Sequence, residues 1–396
     1  MATLILFVIF SIVLALDDFT VHIFKVGQAD SQLIQFGSGY TILIDLGENR
    51  DDTEPTNAKY VESRLEELLP SKRIDVLILS HVHLDHFGYV ERNSGIHHLI
   101  ESGGYTVGKY IGRDIGVFNG DGECNSSTID WKYVGEYEEY NVNWICYAHN
   151  LKTPGSLGAV RELAQMCSTT QIAPPDKNVA VEIVIADALF ALKQDGNPVA
   201  SNWANTENAP SENDYSISLR IQVGDFVYFT GGDLDGMRDF SYGMEISNEE
   251  ELIKDVVGSV DVYRVNHHGD YHSSIESFIG TMKPTVGVVS CGENNRYQLP
   301  HTQTIARLSV VCKTIFLTEN CNSETAAYGN FYPMKDDVVL RYKLNSDTFD
   351  ITNSDSSYIK TFTVKKNKNE RKKCSEIGNR DIQIVVFLFA VIILLF

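Results

Sequence analysis

The chain has 396 residues, 43% hydrophobic and 22% charged, enough apolar side chain to bury a large core and too much for a disordered segment. Fifty-three acidic against 33 basic residues give a net charge of −20 and a pI near 4.9, so the overall field repels a long polyanion and ranks nucleic-acid-gripping functions low. No internal repeat or low-complexity linker divides the sequence, and one domain over 17–363 is expected.

The chain opens on an apolar run, Leu4 to Leu16, of signal-peptide length and without Lys or Arg before it, which predicts removal of residues 1–16 and a secretory route. Two glycine-containing segments follow, Phe24-Lys25-Val26-Gly27-Gln28-Ala29-Asp30-Ser31 and Tyr40-Thr41-Ile42-Leu43-Ile44-Asp45-Leu46-Gly47. An amphipathic helix is expected over Asn57 to Leu69, and a buried strand over Ile74 to Leu79.

Directly after that strand the chain reads Ser80-His81-Val82-His83-Leu84-Asp85-His86. Three imidazoles and a carboxylate within six residues would be costly to desolvate without a cation. Alternate residues on extended backbone point the same way, so His81 and His83 grip one ion while Asp85 and His86, on the following turn, face a second. Imidazole with carboxylate suits two zinc ions, with iron or manganese as alternatives.

Further along, His97 and His98 fall in a short helix and are expected on its surface. Residues 112–155 read as an aromatic, acidic insertion holding a glycosylation sequon at Asn125 and an isolated histidine, His149. A β-rich stretch, Ser216 to Val223 and Phe226 to Phe229, runs into Thr230-Gly231-Gly232-Asp233. Another strand-like run, Val260 to Val265, ends in Asn266-His267-His268-Gly269.

These stations resemble the metallo-β-lactamase superfamily, whose HxHxDH signature HVHLDH matches at every position. The segments VGQADS, ILIDLG and Ser290-Cys291-Gly292-Glu293-Asn294-Asn295-Arg296-Tyr297 are similar to the soluble hydrolase domain of competence DNA-uptake channel proteins and to secreted phosphorylcholine esterases. The resemblance implies an αββα four-layer sandwich, Asp233 as a carboxylate bridging two ions, and His268 as the last ligand of the second ion. His267 is then a hydrogen-bond donor to substrate, though these two roles are open to exchange. It implies Asn213, in Glu212-Asn213-Asp214-Tyr215-Ser216, as a candidate substrate contact, and, since many members place a further histidine before the bridging carboxylate, His149 as a candidate additional ligand for the first ion. The chain departs from the pattern at Ala29, where relatives carry glycine, and at Leu299 in Gln298-Leu299-Pro300-His301. His301 is therefore a weaker substrate-binding candidate, expected on an exposed loop.

The function so implied is a dinuclear-metal hydrolase that cleaves a phosphodiester or related ester of a small molecule or lipid head group, using a hydroxide shared by the ions, with Asp85 orienting or deprotonating the water. Alternatives are a nuclease, a thioester, lactone or β-lactam hydrolase on the same site, and a cell-surface binding protein with a vestigial centre. The net charge disfavours polymeric nucleic acid.

The chain ends in a basic and polar spacer over 364–383 and a 13-residue apolar tail, Ile384 to Phe396, short for a membrane span. Small residues before the tail predict a glycosylphosphatidylinositol anchor, with a retained membrane anchor as the alternative. Seven cysteines suit an oxidising compartment. Spacing alone leaves the pairings open, with Cys312 and Cys321 one candidate bridge from a strand to the following loop, Cys291 a candidate buried free thiol, and Cys374 expected outside the folded domain.

Overall fold

The computed structural model describes residues 18–374 apart from 51, 119–123, 132–138, 150–155, 188–192, 195–196, 199–209, 242–243, 247, 367 and 369. The expected leader, the glycolipid-anchor region and the apolar tail lie outside the described residues. Among those described, no helix is long and apolar enough to cross a membrane.

Two sheets carry the fold. In the nine-stranded sheet, Phe19–Ile23, Gln32–Phe36 and Thr41–Ile44 pair antiparallel, and Arg73–Ile78 and Thr106–Gly112 then add in parallel. In the seven-stranded sheet, Val179–Ile185, Ser218–Val223 and Phe226–Thr230 are antiparallel, and Val262–Arg264, Val286–Val289 and Thr314–Leu317 continue in parallel.

Side-chain alternation sorts the strand residues into three apolar layers. Ile42, Ile44, Val76 and Ile78 of the first sheet meet Val262, Val286 and Val288 of the second in the middle layer. Their neighbours Leu43 and Leu77 face outward onto the helices Thr56–Leu68, Gly95–Glu101 and Glu139–Ala148. Tyr263, Val265 and Val289 face outward from the second sheet onto Glu249–Val257, Glu276–Met282 and Thr302–Val311. The result is the expected αββα sandwich. Helix Thr56–Leu68 packs through Ala58, Val61 and Leu65, spaced three and four apart as a one-faced helix requires.

Parallel pairing brings the carboxyl ends of Arg73–Ile78, Phe226–Thr230, Val262–Arg264 and Val286–Val289 to one edge of the sandwich. Each histidine or aspartate motif begins where one of the first three strands stops. That edge is tightly built at two glycines. A Cβ on Gly47 would stand 1.8 Å from the Asp85 carbonyl oxygen, and Gly232, at φ +59°, leaves only 2.9 Å to Ser80 Cβ.

Several expectations change. His97 and His98 do lie in a helix, Gly95–Glu101, but both are buried, His97 against the insertion helix and His98 against Thr56–Leu68. The His97 ring packs on Tyr147 and bonds Asn93, while His98 Nε2 meets Glu62 at 3.1 Å. Cys291 pairs with Cys321, which leaves Cys312 as the buried free thiol among the described cysteines, and Cys124 pairs with Cys146. Cys374 is inside the fold, buried and bonded to Cys167, since Lys365, Lys368, Arg371 and Lys372 of the polar spacer hold it against the second sheet's side. His301 is half-buried and caps helix Thr302–Val311, its Nδ1 accepting from the Tyr271 N–H.

Candidate metal centre

Asp233 stands at the middle of the edge. Its Oδ2 lies 3.3 Å from His86 Nε2, 3.6 Å from His268 Nε2, and 3.9 Å from both His81 Nε2 and His267 Nε2. Asp85 approaches from the other side, 3.8 Å from His268 Nε2. Asp85, His86, Asp233 and His268 form one group whose ligating atoms all lie within 4.8 Å of one another. His83 Nδ1 faces His81 Nε2 at 3.0 Å, so His81, His83 and the shared Asp233 outline a second position.

The imidazoles of His81, His86, His267 and His268 are each turned by a partner on the other nitrogen, the usual orientation device of a metal histidine. His86 Nδ1 donates to Asp45 Oδ2 at 2.8 Å, while Asp45 also accepts from the Ser80 N–H and hydroxyl, both at 2.7 Å. His268 Nδ1 donates to the Ser290 carbonyl at 2.9 Å, and His81 Nδ1 lies 3.1 Å from Ser80 Oγ. His267 Nδ1 is held by Asp235 at 2.9 Å, and its Nε2 lies 3.2 Å from Asn213 Nδ2. Both histidines of the pair have φ +49°, a left-handed conformation costly for non-glycine residues and held here by these contacts.

The electrostatics favour a cation. Burial disfavours a charged His86, yet Asp233 and Asp45 outweigh it and raise its pKa well above the usual value. Burial likewise opposes ionisation of Asp233, and the surrounding His86, His268 and His267 reverse this and hold it well below the carboxylate range. His81 and His268 are shifted down, first by burial, and so present neutral imidazoles. The donor set fits two zinc-type ions, and the fit rests on buried atoms: His268 Nε2 and Asp233 Oδ1 have no hydrogen-bond partner among the described residues.

Support extends outward. Val82 is held on both sides, its N–H donating to Glu212 Oε1 at 2.9 Å and its carbonyl accepting from Asn141 Nδ2 at 2.7 Å. Glu212 is itself forked by Arg113, at 2.7 and 2.6 Å. Sequence reading did not single out Asp45, Asp235, Ser80, Arg113 or Glu212, because an isolated carboxylate or serine carries no spacing signal. His149 sits at the end of helix Glu139–Ala148 and lines a small cavity with Leu79, Val82, Trp144 and Arg161. Burial and then Arg161 lower its pKa to about 3, and it belongs to no ligating group among the described residues. Asn125 is exposed, as a glycosylation acceptor requires.

Residues 24–99 match the family model of the metallo-beta-lactamase superfamily, a stretch that contains VGQADS, ILIDLG and HVHLDH. Over 133 residues the chain is 30% identical to ComE operon protein 3 of Bacillus subtilis (strain 168), covering 34% of this chain and 16% of that protein. Over 62 residues it is 31% identical to Recombination protein 2 of Haemophilus influenzae (strain ATCC 51907 / DSM 11121 / KW20 / Rd), covering 16% of this chain and 8% of the relative. The chain thus spans less than a fifth of either curated relative. Similar solved structures include a diphosphatase from the PhnP family (13% identity, TM-score 0.33, 74% of this chain and 92% of that one) and unliganded yeast PDE1 (10%, 0.36, 80% and 97%). The resemblance read from the motifs is therefore borne out over residues 24–99.

Proposed function

We propose that the protein is a metal-dependent hydrolase with a two-ion centre, acting on a phosphodiester or related ester of a small molecule or lipid head group. The observation that carries this reading is Asp233, whose one carboxylate oxygen faces four imidazoles at 3.3 to 3.9 Å while its other oxygen is buried without a hydrogen-bond partner among the described residues. His81, His83 and Asp233 would hold one ion, and Asp85, His86, Asp233 and His268 the other. When bound, such ions acidify water and polarise the scissile group. Asp85, a third exposed, is placed to orient that water or take its proton.

His268 fits the ligand role because its Nδ1 is anchored on a backbone carbonyl and its Nε2 faces two carboxylates. His267 fits the substrate side. It is one-fifth exposed, and Asp235 keeps a proton on its Nδ1. Asn213 stands beside it and offers a second polar contact to a substrate oxygen. With a net charge of −20, a compact ester is favoured over a polymer. Three disulfides support an oxidising, extracytoplasmic setting.

The test is a substrate panel on metal-reloaded protein. Hydrolysis of bis(p-nitrophenyl) phosphate and choline phosphodiesters, abolished by chelation and restored by Zn²⁺ or Mn²⁺, is the expected result. Turnover confined to lactams or thioesters rejects the phosphodiester assignment, and metal binding without any hydrolysis rejects the enzyme.

A further inference from the structure

Beyond His267, away from Asp233, a second set of ligand-type side chains converges. Asp235, Asp270 and His272 place their ligating atoms within 4.8 Å of one another. Asp235 is 1% exposed and His272 6%. Asp235 gives one oxygen, Oδ1, to His267 Nδ1, while Oδ2 is buried with no hydrogen-bond partner among the described residues.

The imidazole of His272 is faced by carboxylates at both nitrogens. Nδ1 lies 2.9 Å from Asp270 Oδ1, and Nε2 lies 3.1 Å from Asp239 Oδ2. A neutral imidazole donates from one nitrogen only, so this arrangement needs an added positive charge, a proton or a metal ion. Asp270 Oδ1 also accepts from the His272 backbone N–H at 2.9 Å, and its Oδ2 lies 3.2 Å from His301 Nδ1. One buried carboxylate oxygen, Asp235 Oδ2, thus remains without a donor among the described residues beside an imidazole flanked by two carboxylates.

We propose that Asp235, Asp270 and His272 form a third cation site, separate from the two-ion centre, that takes one divalent ion of the zinc or manganese class. Two carboxylates and an imidazole match the oxygen and nitrogen preference of those ions. The site is carried by the Gly-rich turn after Phe226–Thr230 and by the loop after His268. One ion there would tie together the two loops that present Asp233 and the histidine pair.

The experiment is anomalous diffraction at the metal edge on crystals of the full protein, chelated and then reloaded with Zn²⁺ or Mn²⁺, with bound metal counted by elemental analysis. A peak about 2.0 to 2.2 Å from a His272 nitrogen and the Asp235 and Asp270 oxygens is expected. His272→Gln and Asp270→Asn should each bind one equivalent fewer while keeping the peaks at Asp233. No peak at His272 under saturating ion, with equal metal counts in wild type and both variants, overturns the site. A peak at His272 with none at Asp233 upholds it and counts instead against the proposed two-ion centre. The wild-type map decides the matter even if a variant fails to fold.

Discussion

Asp30 and Arg264 meet at 2.7 Å, both fully buried, and join the two sheets directly behind the metal centre. Asp30 belongs to the loop between the first two strands of one sheet, and Arg264 ends a parallel strand of the other. Arg264 also donates to the Gly232 carbonyl at 2.9 Å, so the pair fixes the turn that presents Asp233. Gln32 adds to the joint, bonding Asp30 at 3.3 Å and Thr230 at 3.2 Å.

Removing one member of this pair leaves an uncompensated buried charge, so Asp30→Ala should lose about 3 to 5 kcal/mol of stability. The combined change Asp30→Leu with Arg264→Met should recover much of that loss, since it removes both charges. Urea midpoints of the three proteins measure the effect, and a wild-type midpoint for Asp30→Ala would remove the pair from any structural role.

Asp233→Asn should lower metal content at both positions and reduce turnover by more than 100-fold, about 2.7 kcal/mol or more in transition-state terms. His268→Ala should lower metal content, whereas His267→Ala should keep its ions and lose kcat. Elemental analysis beside steady-state kinetics separates the two, and the reverse pattern exchanges the roles of His267 and His268.

Much of this centre was legible because metal ligation imposes both residue type and spacing. HVHLDH, GGD and HHG each follow a strand, and the parallel strands deliver all three to one edge. The supporting residues were not legible. Asp45 and Asp235 act across 41 and 32 positions of sequence on His86 and His267; ILIDLG marks Asp45 as part of a resembling segment without disclosing its partner, and no local pattern marks Asp235. The burial of His97 and His98 depended on Tyr147 and Glu62, which reach them only through the fold, and the cysteine pairing likewise depended on the fold, Cys167 meeting Cys374 across 207 positions.

Stability should also report His22, which is buried in the first strand. Burial, then the charges of Arg64 and Arg341, lower its pKa from 6.5 to about 3. A folded-state pKa below the unfolded one means that the unfolded chain binds the proton first. The His22 contribution is therefore present above about pH 6.5 and is lost as pH falls toward 3, at no more than about 1.4 kcal/mol per pH unit. Denaturation of wild type and His22→Phe at pH 7.5, 6 and 5 measures this. A smaller loss in the variant is expected, and parallel curves would assign the acid sensitivity elsewhere.

The closing strap gives the last prediction. After Val364 the chain runs along the second sheet's side, where the Lys365 N–H donates to Asp261 at 2.9 Å, Lys368 pairs with the same carboxylate at 2.8 Å, and Arg371 pairs with Glu182 at 2.6 Å. Cys374 then bonds Cys167 across 207 positions of sequence. Partly exposed ion pairs contribute little individually, so the covalent link should carry most of the strap's stability, on the order of 2 to 5 kcal/mol. Cys374→Ser should lower the melting temperature and open the Lys365 to Lys373 segment to trypsin, while metal content stays at the wild-type value, because none of the candidate ligands lies on the strap. Peptide mapping without reductant should recover a linked 167–374 pair. A free Cys374 thiol in that map, or unchanged proteolysis in the variant, would show that the strap is held by its charges alone.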